Sequence, residues 1–349
     1  MHIPDGYLSP STCAVLYGVA LPFWYGAFAR IKRLLHTRLV PLLAVASAFC
    51  FVVMMFNVPL PGGTTGHAVG VAAATIILGP WSAMLSVSIA LLIQAIFFGD
   101  GGITTLGANC FNMAIVGSLV AYAAYRVIAG GAPLSSRRRV VAAAIAGYLA
   151  VNASALVAAV EFGIQPILFH DASGTPLYAP YPLRIALPAM MIGHLTFAGL
   201  AEAVISAGLV AYLQAADPGL LRSTSGLRDG PAGSDLEPAT HSFRRLWIAI
   251  AVLMLMTPLG ILAAGSAWGE WSPSEIGKNA GSDGVAVPAG LERLSSVWTA
   301  PFPAYAPTFV HSRGFGYLLS AMFGVGLLLA LSLISQALLA RYRRKEYAS

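Results

Sequence analysis

Charge is what this 349-residue chain has least of: 10% of its residues are charged, 57% are hydrophobic, and mean hydropathy is +0.75. An average soluble domain carries roughly 25% charged residues, so a water-soluble globular fold is excluded for most of the length. Lysine is scarcer still. The three present, Lys32, Lys278 and Lys345, never fall in a GxxxxGK[ST] setting, so there is no P-loop and no means of hydrolysing ATP alone. HExxH and paired-carboxylate motifs are missing, which removes the usual supports for a hydrolytic metalloenzyme. Cys13, Cys50 and Cys110 are odd in number, lie in separate apolar stretches and form no CxxC, so they read as small buried hydrophobes. There is also no basic n-region ahead of the first apolar run, where Pro4, Asp5 and Gly6 stand instead. The N-terminus is therefore not expected to be a cleaved signal peptide. No internal repeat is visible at solenoid or propeller periods.

What is present is a series of apolar windows of membrane-spanning length. They predict an all-α polytopic membrane protein with helices over about 10–29, 39–57, 67–79, 80–98, 106–129, 139–162 and 183–215, then 245–265 and 314–340. Only Gly79-Pro80 separates the third from the fourth, and proline suits the first turn of a new helix. Basic residues cluster at Arg30–Arg38, Arg126–Arg139, Arg222–Arg245 and Arg341–Lys345; the exceptions are Arg184, Lys278, Arg293 and Arg313. These clusters share one side of the predicted layout. By the positive-inside rule that side is cytoplasmic, with the N-terminus outside and the C-terminus inside. The net charge of +6 is thus a topology signal, not a nucleic-acid footprint. Residues 217–243 are polar and rich in Pro, Gly and Ser, and divide a seven-helix module (1–216) from a two-helix module (244–349) as a flexible cytoplasmic linker. Within the second module, about 266–313 form an extracytoplasmic loop whose Trp268, Trp271 and Trp298 read as interfacial anchors.

The first two residues carry the chemistry. A methionine followed by a residue as bulky as His2 is normally retained, because its removal requires a small second side chain. The terminal amine, the His2 amide and His2 Nδ1 can then close adjacent five- and six-membered chelate rings around one ion. Three nearly coplanar nitrogens with an open corner favour Ni²⁺ or Cu²⁺, with Co²⁺ also compatible, over Mg²⁺ or Ca²⁺. An imidazole such as His67 would fill the corner. That histidine lies in PLPGGTTGHAVG, where Gly62, Gly66 and Gly70 recur every four residues and leave a path for close backbone approach. Pro4-Asp5-Gly6 favours a turn, and Ser9-Pro10 reads as an N-cap with a first-turn proline, which could fold residues 1–8 back into the bundle.

Other polar residues in apolar settings need partners. Asn109 and Asn112 share a helix face, and either orient a metal-bound imidazole or bond between helices. His194 and Glu202 stand two helical turns apart; they are further candidates to support the metal's ligands without binding it themselves, and an intramembrane metalloenzyme could cast them as its metal ligand and base. On that view, removing Glu202 would abolish an enzyme and spare metal capture. A passive metal channel is the other competing class, and it would not need the terminal amine.

MHIPDGYLSP (1–10), FNVPLPGGTTGHAVG (56–70), LGPWSAML (78–85), FGDGGITTLGANCFNMAIVG (98–117) and HLTFAGLAEAVISA (194–207) resemble, in order and spacing, the substrate-binding M component of cobalt and nickel energy-coupling-factor transporters, the CbiM/NikM family. The resemblance covers about residues 1–215. It implies a seven-helix bundle with an inserted N-terminus and a metal site made of the Met1 amine, the His2 amide and imidazole, and the His67 imidazole. Tyr7 departs from an expected phenylalanine. The second module resembles the two-helix N component by topology and order. Taken together, the resemblance implies a non-enzymatic uptake subunit of the bacterial cytoplasmic membrane. Its transported substrate would be Ni²⁺ or Co²⁺, with no catalytic cofactor. Its partners would be a membrane-embedded coupling T component and cytoplasmic ATPase subunits.

Overall fold

The computed structural model describes residues 1–32, 39–60, 64–222, 224, 240–263, 267–279 and 287–346. Among these, seven helices are long and apolar enough to cross a membrane: Pro10–Ile31, Pro80–Phe98, Leu106–Ala129, Arg137–Leu168, Leu183–Ala216, Arg244–Leu262 and Arg313–Ser335. The helices in chain order are α1 (Pro10–Lys32), α2 (Leu39–Met54), α3 (Val71–Leu78), α4 (Pro80–Phe98), α5 (Leu106–Ala129), α6 (Arg137–Leu168) and α7 (Leu183–Ala216). They continue with α8 (Thr240–Met256), the short α9 (Pro273–Asn279) and α10 (Ala289–Leu294), and α11 (Arg313–Glu346). Most of the linker lies outside the described residues.

Local chemistry sets the helix ends. Ser9 caps α1, its Oγ accepting from the Thr12 amide at 3.1 Å, with Pro10 in the first turn. Gly79 has φ 78° and links α3 to α4, whose first residue is Pro80. Short π-helical stretches end α4, at Gln94–Phe98, and interrupt α5 and α7, at Cys110–Val116 and His194–Ala198. Such stretches frequently mark functional positions. Fully buried Arg139 closes the bend before α6 by donating to Ala132 O at 3.0 Å, so this basic residue is structural as well as a marker of sidedness.

Two expectations change. The helix expected over 67–79 begins only at Val71, because an antiparallel hairpin, β1 (Val58–Leu60) with β2 (Thr64–Gly66), precedes it. The glycine spacing therefore does not clear a helix face. Gly66 ends β2, Gly70 takes a left-handed φ of 76° directly before α3, and Gly62 lies outside the described residues. His67 sits in the connecting loop, which frees its ring from the lipid-facing geometry of a span. The tryptophans of the second module also dock on protein. Trp268 packs on Phe162 and Tyr181, at ring centroids of 5.8 and 4.7 Å, and Trp298 Nε1 donates to Ile96 O at 2.8 Å.

The second module lies against the first. Helices α8 and α11 pack on α2, and buried residues from both modules share one apolar core. The three cysteines are free and buried, as their spacing suggested.

Candidate metal-capture site

Residues 1–9 are folded into the bundle: Met1 is 3% exposed, His2 1% and Ile3 0%. The segment needs partners for its backbone, and α5 with the loop before it provides them. Asn109 grips Ile3 with both ends of its amide, accepting from Ile3 N at 2.8 Å and donating to Ile3 O at 3.0 Å. Gly102 N adds a bond to the same carbonyl at 2.9 Å. Asp5 accepts from Ile103 N at 3.1 Å, from Thr104 N at 2.7 Å and from the Thr104 hydroxyl. Only glycine fits this cradle at 102, since a Cβ there would run into Asp5. Tyr7 donates its hydroxyl to Trp271 O at 2.7 Å, a bond that phenylalanine could not make and that ties the segment to the second module.

The two histidines meet. His67 Nε2 lies 3.2 Å from His2 Nδ1, with ring centroids 4.9 Å apart. His67 Nδ1 is 2.9 Å from Ala68 O; donation there leaves Nε2 with its lone pair turned to His2. Two nitrogens about 2.0 Å from a shared ion at a right angle lie roughly 2.8 Å apart. The pair is thus near the spacing of adjacent ligands. Burial, the His2 ring and the terminal amine hold the His67 imidazole down at about 3, so it is neutral near pH 7. His2 Nδ1 also lies 3.0 Å from Asp100 Oδ1, whereas the buried Nε2 has no partner among the described residues. Burial opposes charge on Asp100, yet the contact with His2 keeps its carboxyl below the usual range. The Met1 ammonium pairs with Glu270 Oε1 of the second module at 2.8 Å. Among the described residues, no group of three His, Cys, Asp or Glu side chains is arranged to hold a metal. A four-nitrogen site would have to draw on the main chain.

The remaining polar residues hydrogen-bond to other groups. Glu202, buried on α7, accepts from Val69 N and Gly70 N at 2.8 Å and from Ala72 N at 3.2 Å. It caps α3 and fixes the loop that follows His67. Because Glu202 acts through that loop, its removal no longer separates an enzyme from a capture protein. Replacing Glu202 with Gln turns an NH₂ group toward those amides. We expect E202Q to weaken nickel binding roughly 10–100-fold, measured by titration, while E202D retains part of it; wild-type affinity in E202Q would remove Glu202 from this role. His194 bonds to Met190 O of its own helix at 2.7 Å and is not brought to Glu202. Asn112 donates to Glu161 Oε2 at 2.7 Å. Sequence reasoning missed Glu270, Tyr305 and the contact of Asp100 with His2. Its only signals were an acid flanked by tryptophans in WGEW and an acid in the glycine turn GDGG.

Apolar helices long enough to span a bilayer, closed over an inward-folded N-terminus and a histidine pair, define a polytopic helical membrane protein with a buried nitrogen-rich site. The family described as "Cobalt uptake substrate-specific transmembrane region" (CbiM) matches residues 2–220, and the PDGLE domain matches 244–341. The chain belongs to the CbiM family of metal transport proteins, with a PDGLE domain fused behind the family region. It is 52% identical to the fused nickel transport protein NikMN of Rhodobacter capsulatus over 99% of both chains. It is 40% identical to the probable fused nickel transport protein LarMN of Lactiplantibacillus plantarum, over 95% of this chain and 96% of that one. A crystal structure of a truncated transition metal transporter superposes with a TM-score of 0.58 at 51% identity, covering 61% of this chain and 98% of that one.

Proposed function

We propose that this protein is the substrate-capture subunit of an ATP-driven nickel (or cobalt) uptake transporter. The observation that carries the reading is the buried His2–His67 pair beside an inward-folded terminal amine. In this reading the Met1 amine, the His2 amide, His2 Nδ1 and His67 Nε2 bind the ion in a square plane. Geometry then selects the metal where raw affinity would favour copper. The proton on His2 Nδ1 gives way to the metal, and the unpartnered Nε2 can take one up. The nickel named in two fused relatives favours Ni²⁺ over Co²⁺.

Residues 1–216 form the capture module, 217–243 the cytoplasmic linker and 244–349 the N-type module. By the positive-inside rule the basic clusters support an N-terminus outside the cytoplasmic membrane, the side from which a nutrient metal arrives. Energy comes from separate ATPase subunits through a membrane-embedded T component, since the chain has no P-loop. The purified chain is expected to bind an equimolar amount of Ni²⁺, to hydrolyse no ATP and to move no Ni²⁺ across vesicles by itself. ATP hydrolysis or passive flux by the chain alone would overturn the division of labour. Binding that is unaffected by H67A would overturn the site.

A further inference from the structure

Tyr305 belongs to the second module, yet its side chain is buried in the first. The loop that carries it docks on the end of α4, with Trp298 Nε1 on Ile96 O at 2.8 Å and Phe302 N on Phe97 O at 2.9 Å. Both bonds satisfy carbonyls that a helix C-terminus leaves open. Ala304 and Tyr305 then take left-handed φ values of 50° and 59°, the only two non-glycine residues to do so among those described. Side chains rarely accept that conformation, and it persists where surrounding contacts over-determine it. Here they do: the Tyr305 ring stacks on Phe98 at 4.7 Å and meets Tyr317 edge-on at 5.3 Å. Its carbonyl accepts from Ser320 Oγ at 3.0 Å.

All this delivers one hydroxyl. Tyr305 donates to Asp100 Oδ2 at 2.6 Å and accepts from buried Gln94 Nε2 at 2.9 Å. The other oxygen of Asp100 lies 3.0 Å from His2 Nδ1. Asp100 lies between left-handed Gly99 and Gly101; its amide donates to Gln94 O at 3.2 Å and Gln94 Nε2 reaches Oδ2 only at 3.4 Å, so the 2.6 Å bond from Tyr305 is the shortest hold on that oxygen.

We infer that Tyr305 is a positioning residue: it fixes the Asp100 carboxylate, which holds the His2 imidazole in the rotamer that faces His67 before the metal arrives. The inference rests on the proposed nickel site and gives the second module a specific part in it. A ring free to rotate would present the competent arrangement only part of the time, and apparent affinity falls by that fraction. The loss belongs to capture. Once the ion is bound, its ligands hold the ring themselves.

The test is rapid-mixing Ni²⁺ binding by the purified full chain. Y305F keeps the stacked ring and removes the hydroxyl alone. It should slow association by about tenfold and leave dissociation and the ligand-field absorption of the bound ion unchanged. D100N should slow association at least as much, and the double variant should match D100N, because the two residues act in series. Y317F removes a comparable buried hydroxyl, bonded to Met55 O at 2.8 Å, and should bind at the normal rate. Wild-type association in Y305F, multiplicative effects of Y305F and D100N, an altered absorption band, or equal slowing by Y317F would each overturn the inference. Failure of the underlying site would show separately, as nickel binding indifferent to H67A in the parent chain.

Discussion

A single glycine placed ahead of Met1 should reduce Ni²⁺ affinity by several orders of magnitude while leaving both histidines in place. The insertion separates the free amine from the His2 amide by an extra residue and breaks the chelate in which both adjoin one ion. It also has nowhere to go. The Met1 nitrogen is buried against Glu270 at 2.8 Å, and the next residues are clamped at Ile3 by Asn109. The added residue must therefore displace Glu270 or pull His2 away from His67. The measurement is metal stoichiometry and affinity of the purified chain with and without the extension, paired with a melting curve to show that the bundle survives. Binding equal to that of the parent chain would remove the amine from the ligand set.

The second large effect is on pH. Nickel can occupy the amine and the amide only after each gives up a proton, so binding releases protons and acid opposes it. With two protons released, affinity should fall roughly a hundredfold per pH unit across the mildly acidic range. His67 adds nothing to that slope, because its pKa of about 3 leaves it already neutral. Affinity should therefore be highest at mildly alkaline pH and fall steeply toward pH 6. A slope of zero across this range would show that neither main-chain nitrogen is deprotonated, and would leave a site built from side chains alone.

The membrane character, the approximate limits of seven spans and the pairing of His2 with His67 were legible in the sequence, whereas the helices expected over 39–57 and 67–79 are shorter than a span. The first two follow from apolar run length and from caps such as Ser9-Pro10, which act over a few residues. The pairing followed from the chemistry of an N-terminal Met-His and from a family resemblance. What could not be read depends on distance along the chain. Glu270 reaches Met1 across 269 residues and Tyr305 reaches Asp100 across 205, and no local pattern encodes either meeting. The hairpin at 58–66 was hidden for a different reason, because glycines spaced four apart suit a helix face as well as a turn. The polar residues were flagged correctly as needing partners, but composition could not say which. Glu202 turned out to serve the backbone after His67, and Asn109 the backbone of Ile3, neither of them an imidazole.

The burial of the Met1 amine against Glu270 also constrains how the protein is made. The amine's partner is synthesised 269 residues later, so its pocket is complete only once that part of the second module is made. Any acyl group on the nitrogen would occupy the space the carboxylate needs. A blocked terminus would therefore leave a full-length protein in which Met1 and Glu270 cannot meet.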